Sequence, residues 1–150
     1  MKEIIENTQA YLASIPGIKY VDENWGQLDL YSPAPPVQFP CVLIDVINTR
    51  FSDIGIDKQA QPQNRQMSNF ILEVRVADIK TTNSSARAPL NQRNQARHIF
   101  DLMEDIHAKL QGHSATSKCG KFIRTSQNRV QRDDGIREYV ILYSGDEHNV

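Results

Sequence analysis

Cysteine is scarce in this sequence of 150 residues, which contains only Cys41 and Cys119. A disulfide framework would need more cysteines, and neither residue belongs to a CxxC pair or lies near a suitably spaced histidine. Redox or metal chemistry through cysteine is therefore not indicated. We interpret both residues as reduced, half-buried thiols of a cytoplasmic protein.

Long hydrophobic runs are also missing. The longest, such as YVILY at 139–143, have the length of a strand and fall far short of the ~20 residues that span a bilayer. The amino-terminal stretch mixes acids and amides into its apolar pattern, unlike a secretory signal. The net charge is −1, so no overall field attracts nucleic acid or an anionic membrane. We expect one soluble domain spanning residues 1–150.

Catalytic signatures are absent from the sequence as well. It has no phosphate-binding loop, no nucleophile elbow and no dinucleotide fingerprint. His98 and His107 are too far apart on a helix to share a metal ion as an i,i+4 pair would. The adjacent carboxylates of Asp133 and Asp134 are more typical of a turn than of a cation site. We predict a protein that is not an enzyme, with no catalytic, cofactor-binding or metal-binding residues.

Two segments have the apolar spacing of an amphipathic helix. The first covers residues 3–15 and should end at Pro16 and Gly17. The second runs from Pro89 to Gly112, with Asp105 and Lys109 at the spacing of a helical ion pair on its polar side. The apolar stripe of the second helix consists of Ala96, Ile99, Phe100, Met103, Ile106 and Leu110.

The remaining patterned segments predict strands. Residues 18–32 indicate a short strand, a turn and a second extended piece, followed by a proline-rich connection. Residues 41–51 and 69–79 alternate with a period of two and have one strongly apolar face, as in a sheet covered by helices on one side. Residues 121–132 and 136–144 form a last pair around the turn DDG, and GDEHNV is expected to be a polar tail.

These elements predict an α+β fold with two layers, in which two helices pack on one face of a mainly antiparallel sheet. The expected order is α-β-β-β-β-α-β-β, with a long β-hairpin at its centre. The other face of the sheet is semi-polar, which suits either solvent or a neighbouring subunit.

The connection inside the central hairpin, GIDKQAQPQNRQM at 55–67, is long, polar and almost uncharged. Amide side chains donate and accept hydrogen bonds without the desolvation cost of charges, so they suit a protein contact. We predict that this loop is an interaction element, although a merely solvated loop would have the same composition. The candidate contact residues are Asp57, Lys58, Gln59, Gln61, Gln63, Asn64, Arg65 and Gln66.

The order of elements, together with IPGIKYVDENWGQLDLY, FPCVLIDV and REYVILYSGD, resembles the tail terminator (tail-completion) proteins of long-tailed phages and prophages. The resemblance extends from the first helix to the last strand. It implies a structural protein without cofactors that forms a homo-oligomeric ring, typically a hexamer, on the finished tail tube. There it would stop tube growth and present a surface to the head–tail connector protein. It would act in the cytoplasm of the bacterial host during assembly and afterwards in the virion tail.

Other functions fit parts of the same pattern. A head–tail connector (neck) protein or another minor tail protein could share the layout. A small nucleic-acid-binding domain is an alternative of a different class, as is an enzyme without recognised motifs. The nucleic-acid alternative rests on the basic strand at 118–132, where Phe122 lies among the cations. The same charges could simply discourage unwanted edge pairing. The cations are Lys118, Lys121, Arg124, Arg129 and Arg132.

Overall fold

The structure is a computed structural model that describes residues 1–30, 32–53, 55 and 65–148. Its five strands form one sheet in the spatial order β1-β2-β3-β5-β4. The prediction of an α+β fold with a mainly antiparallel sheet is confirmed. The elements are α1 (Lys2–Ala13), β1 (Tyr20–Glu23), a 3-10 helix (Gln27–Asp29), β2 (Cys41–Asp53), β3 (Gln66–Ile79), α2 (Leu90–Ala96), α3 (His98–Leu110), β4 (Ile123–Val130) and β5 (Ile136–His148).

The central hairpin is as long as its sequence indicates. β2 and β3 have 13 and 14 residues and pair from Cys41 with Ala77 to Asp53 with Gln66. A β-bulge interrupts the register between Ile47 and Arg50, where Asn48 has a φ of 53°. β1 is the one parallel partner in this sheet and pairs with β2 only as far as Ile44.

The main core lies between the sheet and the helices α1 and α3. The two central strands alternate as predicted, because every second side chain points to the helices and is buried. Burying a large apolar side chain fully contributes ~1.5–3 kcal/mol each, so this layer supplies most of the folding free energy. The inward-facing residues of β2 and β3 are Val42, Ile44, Phe70, Leu72, Val74 and Val76.

The second extended piece expected after β1 is instead the 3-10 helix. Gly26 adopts a φ of 91°, and the buried side chain of Gln27 hydrogen-bonds the turn on both sides. Its Oε1 accepts from the backbone N–H of Trp25 (2.9 Å), and its Nε2 donates to the carbonyl oxygen of Glu23 (2.9 Å). These local hydrogen bonds and the burial of Leu28 against the sheet stabilise the 3-10 helix relative to an extended conformation. The observed order is therefore α-β-β-β-α-α-β-β.

The long helix predicted from Pro89 to Gly112 is divided into α2 and α3. Arg97 lies between them with a φ of −104° and a ψ of 2°. Within α3 the buried stripe includes Leu102, which lies closer to its centre than the predicted Phe100, and Phe100 is 41% exposed. Gly112 follows α3 with a φ of 76°, as expected of a helix-terminating glycine.

Three smaller expectations were wrong. Residues 145–148 of the expected polar tail belong to β5, because they pair with β3, and residues 149–150 lie outside the described ranges. In the part of the chain that the structure describes, Lys109 forms no ion pair with Asp105; it donates to Oγ of Ser14 (2.8 Å). The two cysteines are free but fully rather than half buried, and burial raises the pKa of the Cys41 thiol to about 12. Such a thiol is unreactive at neutral pH.

Among the helices within the described ranges, none is long and apolar enough to cross a membrane.

Candidate interaction surfaces

The structure describes two of the predicted loop residues. Arg65 is exposed, and Gln66 begins β3, where its Nε2 donates to Oδ1 of Asp53 (3.2 Å) across the hairpin. These two residues therefore lie at the base of the loop. The other predicted contact residues lie outside the described ranges: Asp57, Lys58, Gln59, Gln61, Gln63 and Asn64.

The hairpin end next to this loop is exposed. β2 continues for nine residues beyond Ile44, its last partner on β1, which corresponds to ~30 Å of extended chain. Over this length one edge of β2 has no neighbouring strand among the described residues. Phe51, opposite Ser68 on β3, is 55% exposed. The end of β2 therefore offers an open strand edge and an exposed apolar side chain, while β3 beside it is paired with β5.

A cavity of about 700 Å³ lies beside the β2 bulge. Hydroxyl and amide groups of its lining can donate and accept hydrogen bonds, and Arg50 adds a positive charge. Bulges often redirect side chains next to binding sites. The lining consists of Asn48, Thr49, Arg50, Asn69, Phe70, Ile71, Ser144 and Gly145.

The face of the sheet opposite the helices is covered over part of its area. A second apolar cluster contains Leu28, Cys41, Leu43, Ala77 and Ile136, and residues of the proline-rich connection pack on it. The rest of this face carries apolar side chains that no described segment covers fully. The alternation and register of the strands identify these uncovered side chains as the partly buried Ile47, Ile71, Val140 and Leu142 and the exposed Ile123.

A network of ion pairs lies where the covered part of this face ends. Glu138 accepts hydrogen bonds from Nη1 of Arg75 (2.6 Å) and Nη1 of Arg132 (2.8 Å). Arg132 also contacts Asp134 (2.7 Å), and this hydrogen bond lowers the pKa of the Asp134 carboxyl. Arg75 pairs in addition with Glu73 (2.6 Å). Each arginine is held by at least two carboxylates, Asp29 included (3.0 Å from Arg132), so the network joins the 3-10 helix to β5 and is better explained by stability than by ligand binding.

Two of the side chains on which the nucleic-acid alternative rests are not accessible at the surface. Phe122 is completely buried in the main core, so its ring cannot stack on a base. The Arg132 side chain is 8% exposed and is enclosed by carboxylates. The remaining cations along this edge have no exposed aromatic side chain among them on β4. This arrangement resembles a protected sheet edge more than a stacking platform.

The histidines make separate contacts. His98 lies 3.8 Å from Asp101, and His148 lies 3.2 Å from Asp146. Nδ1 of His107 is 3.4 Å from the hydroxyl of Tyr143, whereas His113 stacks on Tyr11 with ring centroids 4.0 Å apart. Over the residues that the structure describes, no three histidine, cysteine or acidic side chains converge as a metal site would require.

Trp25 is a candidate contact residue that sequence reasoning missed. It is the single tryptophan of the chain and is 58% exposed in the turn that Gln27 holds. A tryptophan directly before a glycine in a predicted turn is a signal that could have indicated this exposure.

No protein-family model matches this sequence, and no curated protein matches it significantly.

Proposed function

We propose that this protein is a structural virion-assembly protein of the tail terminator type, which caps the phage tail tube as a ring and joins it to the head connector. The observation that carries this proposal is the central hairpin. On this hairpin β2 continues for ~30 Å beyond its last residue paired with β1, with one edge unpaired among the described residues, although Val46 and Phe70 still pack in the main core. The open edge of β2 and the adjoining loop, which we call the arm, are available for contact with a neighbouring subunit or the tube end.

The surface of the arm fits a protein contact. Phe51 offers exposed apolar area near the tip, and Arg50 with the amides of Asn48 and Asn69 offers hydrogen-bonding groups beside it. Interfaces combine apolar anchors of this kind with satisfiable polar groups at the rim. The amide-rich sequence between the two strands adds further donors and acceptors.

The open part of the helix-free sheet face supports self-assembly. Ile47, Ile71 and Leu142 are partly buried there, and Ile123 is exposed at the β4 edge. Contiguous apolar side chains on a protein surface often mark an interface with another protein. A ring in which this face meets a neighbour would remove them from water.

In this proposal the protein acts by contact and not by chemistry. Its partners are further copies of itself, the tail tube protein and the head–tail connector protein. It would work in the cytoplasm of the bacterial host during assembly and then remain in the virion tail. A neck protein that binds the connector but not the tube is the closest alternative.

Electron microscopy of the purified protein, alone and mixed with tail tubes, tests the proposal. We expect rings or capped tubes with the wild-type chain. A variant in which a short glycine-containing turn replaces residues 56–64 should unfold cooperatively, like the wild type, but should not cap tubes. The control keeps the loop length and replaces its residues by glycine and serine, which separates reach from side-chain contacts.

Two outcomes would contradict this assignment. Normal capping by the shortened variant would show that the hairpin tip is not the contact element. A wild-type chain that stays monomeric and ignores tubes would remove the tail terminator function. Binding to the connector in the absence of tube binding would favour the neck protein.

A further inference from the structure

The two edges of the sheet carry opposite charge. Residues 20–26, which contain β1, include Asp22 and Glu23 and no lysine or arginine, whereas Asp29 pairs with Arg132 (3.0 Å). Residues 118–130, which contain β4, include four cations and no acid. β1 and β4 are the two outermost strands of the sheet. The molecule is therefore acidic at one edge and basic at the other, although its net charge is only −1.

Glu23 at one edge and Arg124 and Arg129 at the other lie on the same face of the sheet, whereas Asp22 lies on the opposite face. Glu23 pairs with Ile44, whose side chain points into the helix-side core. Arg129 pairs with Tyr139 and Arg124 with Tyr143, which also pack on the helix side. Paired residues of neighbouring strands share a face. Neither the Glu23 carboxylate nor the Arg129 guanidinium has an ion-pair partner within the described part of the chain.

Trp25 adds an anchor to the acidic edge. Its backbone N–H is held by the buried Gln27, which also binds the carbonyl oxygen of Glu23. The backbone that carries the indole is therefore preformed, which lowers the ordering cost of binding. Tryptophan and arginine are the side chains most enriched at the energetic centres of interfaces, and a guanidinium can stack on an indole.

The strand directions allow the two edges to pair. β1 runs parallel to β2, and the alternating directions of β3, β5 and β4 place β4 antiparallel to β1. A second copy set beside the first in the same sheet would bring its β4 antiparallel to β1. Residues 126–130, beyond the irregularity in β4, match the four residues of β1 in length. β4 has no neighbouring strand on its outer side among the described residues, whereas Gln9 and Gln27 already donate to the carbonyl oxygens of Val21 and Glu23 on β1, so side chains would carry the contact.

We propose that the acidic β1 edge of one copy binds the basic β4 edge of a second copy, with Glu23 and Trp25 contacting Arg129. This inference rests on the proposed ring assembly and names its contact. A head-to-tail contact of this kind uses two different surfaces, so it repeats from copy to copy and closes into a ring when the rotation allows. It also weakens with salt, because both edges are exposed.

Charge exchange between the edges tests the contact. Sedimentation velocity at about 50 mM salt, where screening is weak, gives the dissociation constant. Glu23→Lys and Arg129→Glu should each raise it by about tenfold or more, because like charges then face each other. The double variant carries both reversed charges and should return to within about threefold of the wild type. The control is Lys80→Glu, a reversal of an exposed charge that follows the central strand β3.

Mixing the two single variants tests the head-to-tail arrangement. Each contact between the two different variants would pair a lysine at position 23 with a glutamate at position 129, or the original glutamate with the original arginine. The mixture should therefore associate although neither variant does so alone. Emission of the single tryptophan should shift to the blue on association, since Trp25 leaves water.

The outcomes distinguish this inference from the proposed function. Association that ignores the charge reversals, or a monomer at low salt and high concentration, would overturn the edge contact. Capped tails with unaffected single variants would leave the tail terminator function intact while removing the contact. Restored association in the double variant, without any capping of tubes, would support the contact and remove the function.

Discussion

Arg132 donates a hydrogen bond of 2.8 Å to the carbonyl oxygen of Leu28, a residue 104 positions earlier in the chain. The bond ties the 3-10 helix to the hairpin between β4 and β5. Both segments line a cavity of about 650 Å³. The same guanidinium neutralises Glu138, whose side chain is 2% exposed. One side chain therefore supports the turn that presents Trp25 and the end of the strand that carries Arg129.

We expect Arg132→Met to lower the free energy of unfolding by about 3–5 kcal/mol, because it leaves a buried carboxylate short of one partner. Arg132→Lys should lower the free energy of unfolding less than Arg132→Met does. It should not reach wild-type stability, because an ammonium group cannot reproduce the forked contacts of the guanidinium. Urea unfolding measures both values. The control Arg129→Met removes an exposed charge from β4 and should change stability by about 0.5 kcal/mol or less. Equal stability of the two methionine variants would show that the network contributes nothing.

Gly145 lies where the main core leaves no space for a side chain. A Cβ at this position would be 2.7 Å from Cζ of Phe70 and 3.1 Å from Cε1 of Phe122. Gly145→Ala should therefore lower the free energy of unfolding by about 1–3 kcal/mol through overpacking. Ser144→Ala, on the opposite face, should cost about 1 kcal/mol or less. Thermal or urea unfolding distinguishes them.

A second substitution tests whether the contact with Phe70 causes the destabilisation expected of Gly145→Ala. Phe70→Leu removes the ring atoms that a new methyl group would meet, so it should relieve part of the Gly145→Ala penalty. The double variant should then be more stable than the sum of the two single changes predicts. Strict additivity would indicate that the penalty comes from the backbone and not from the contact with Phe70.

His113 makes stability depend on pH near neutrality. Burial lowers its pKa, and the nearby charges of Lys121 and Lys109 lower it further. The unfolded chain binds a proton at a pKa of about 6.5, above that of the folded state. Stability is therefore highest above pH ~6.5 and falls as the pH drops from there towards the folded pKa. Burial lowers the pKa of His107 as well, which adds to the same trend.

Replacing His113 by phenylalanine keeps a ring for stacking on Tyr11 and removes the titrating group. We expect the wild type to lose more stability than His113→Phe when the pH falls from about 7.5 to about 5. Urea unfolding at the two pH values gives the difference. Parallel losses in both proteins would mean that His113 titrates alike in the folded and unfolded chain.

The β4 edge should not bind single-stranded nucleic acid strongly. Phe122 is buried, and the exposed cations lack an aromatic surface on which bases could stack. Fluorescence anisotropy with a labelled DNA oligonucleotide should show no binding at physiological salt. A high affinity that falls steeply with salt, and that Arg124→Ser and Arg129→Ser abolish, would instead support the nucleic-acid alternative.

Local patterns predicted the elements whose residues meet one continuous surface. Alternation in β2 and β3 and the stripe of α1 follow directly from burial of one face. Gly17, Gly112 and Gly135 end or turn elements as expected, since each adopts a positive φ. The long central hairpin was also predictable, because two strand patterns flank a long polar segment.

Other features depend on contacts between distant residues. The break at Arg97 and the 3-10 helix at Gln27 arise where packing and side-chain bonds override a helical or extended pattern. Residues 145–148 became part of β5 because β3 is long enough to pair with them. The polar sequence GDEHNV contained no sign of that partner.

The amino-acid sequence by itself determined the composition of each segment, its period and therefore its secondary structure over most of the chain. Only the tertiary structure decided which strands became edges, where Arg132 found its carboxylates and which charges faced solvent. The physical reason is that strand order and ion pairing are set by residues far apart in the chain. A local pattern shows which face of each strand is buried but not which strand lies beside it.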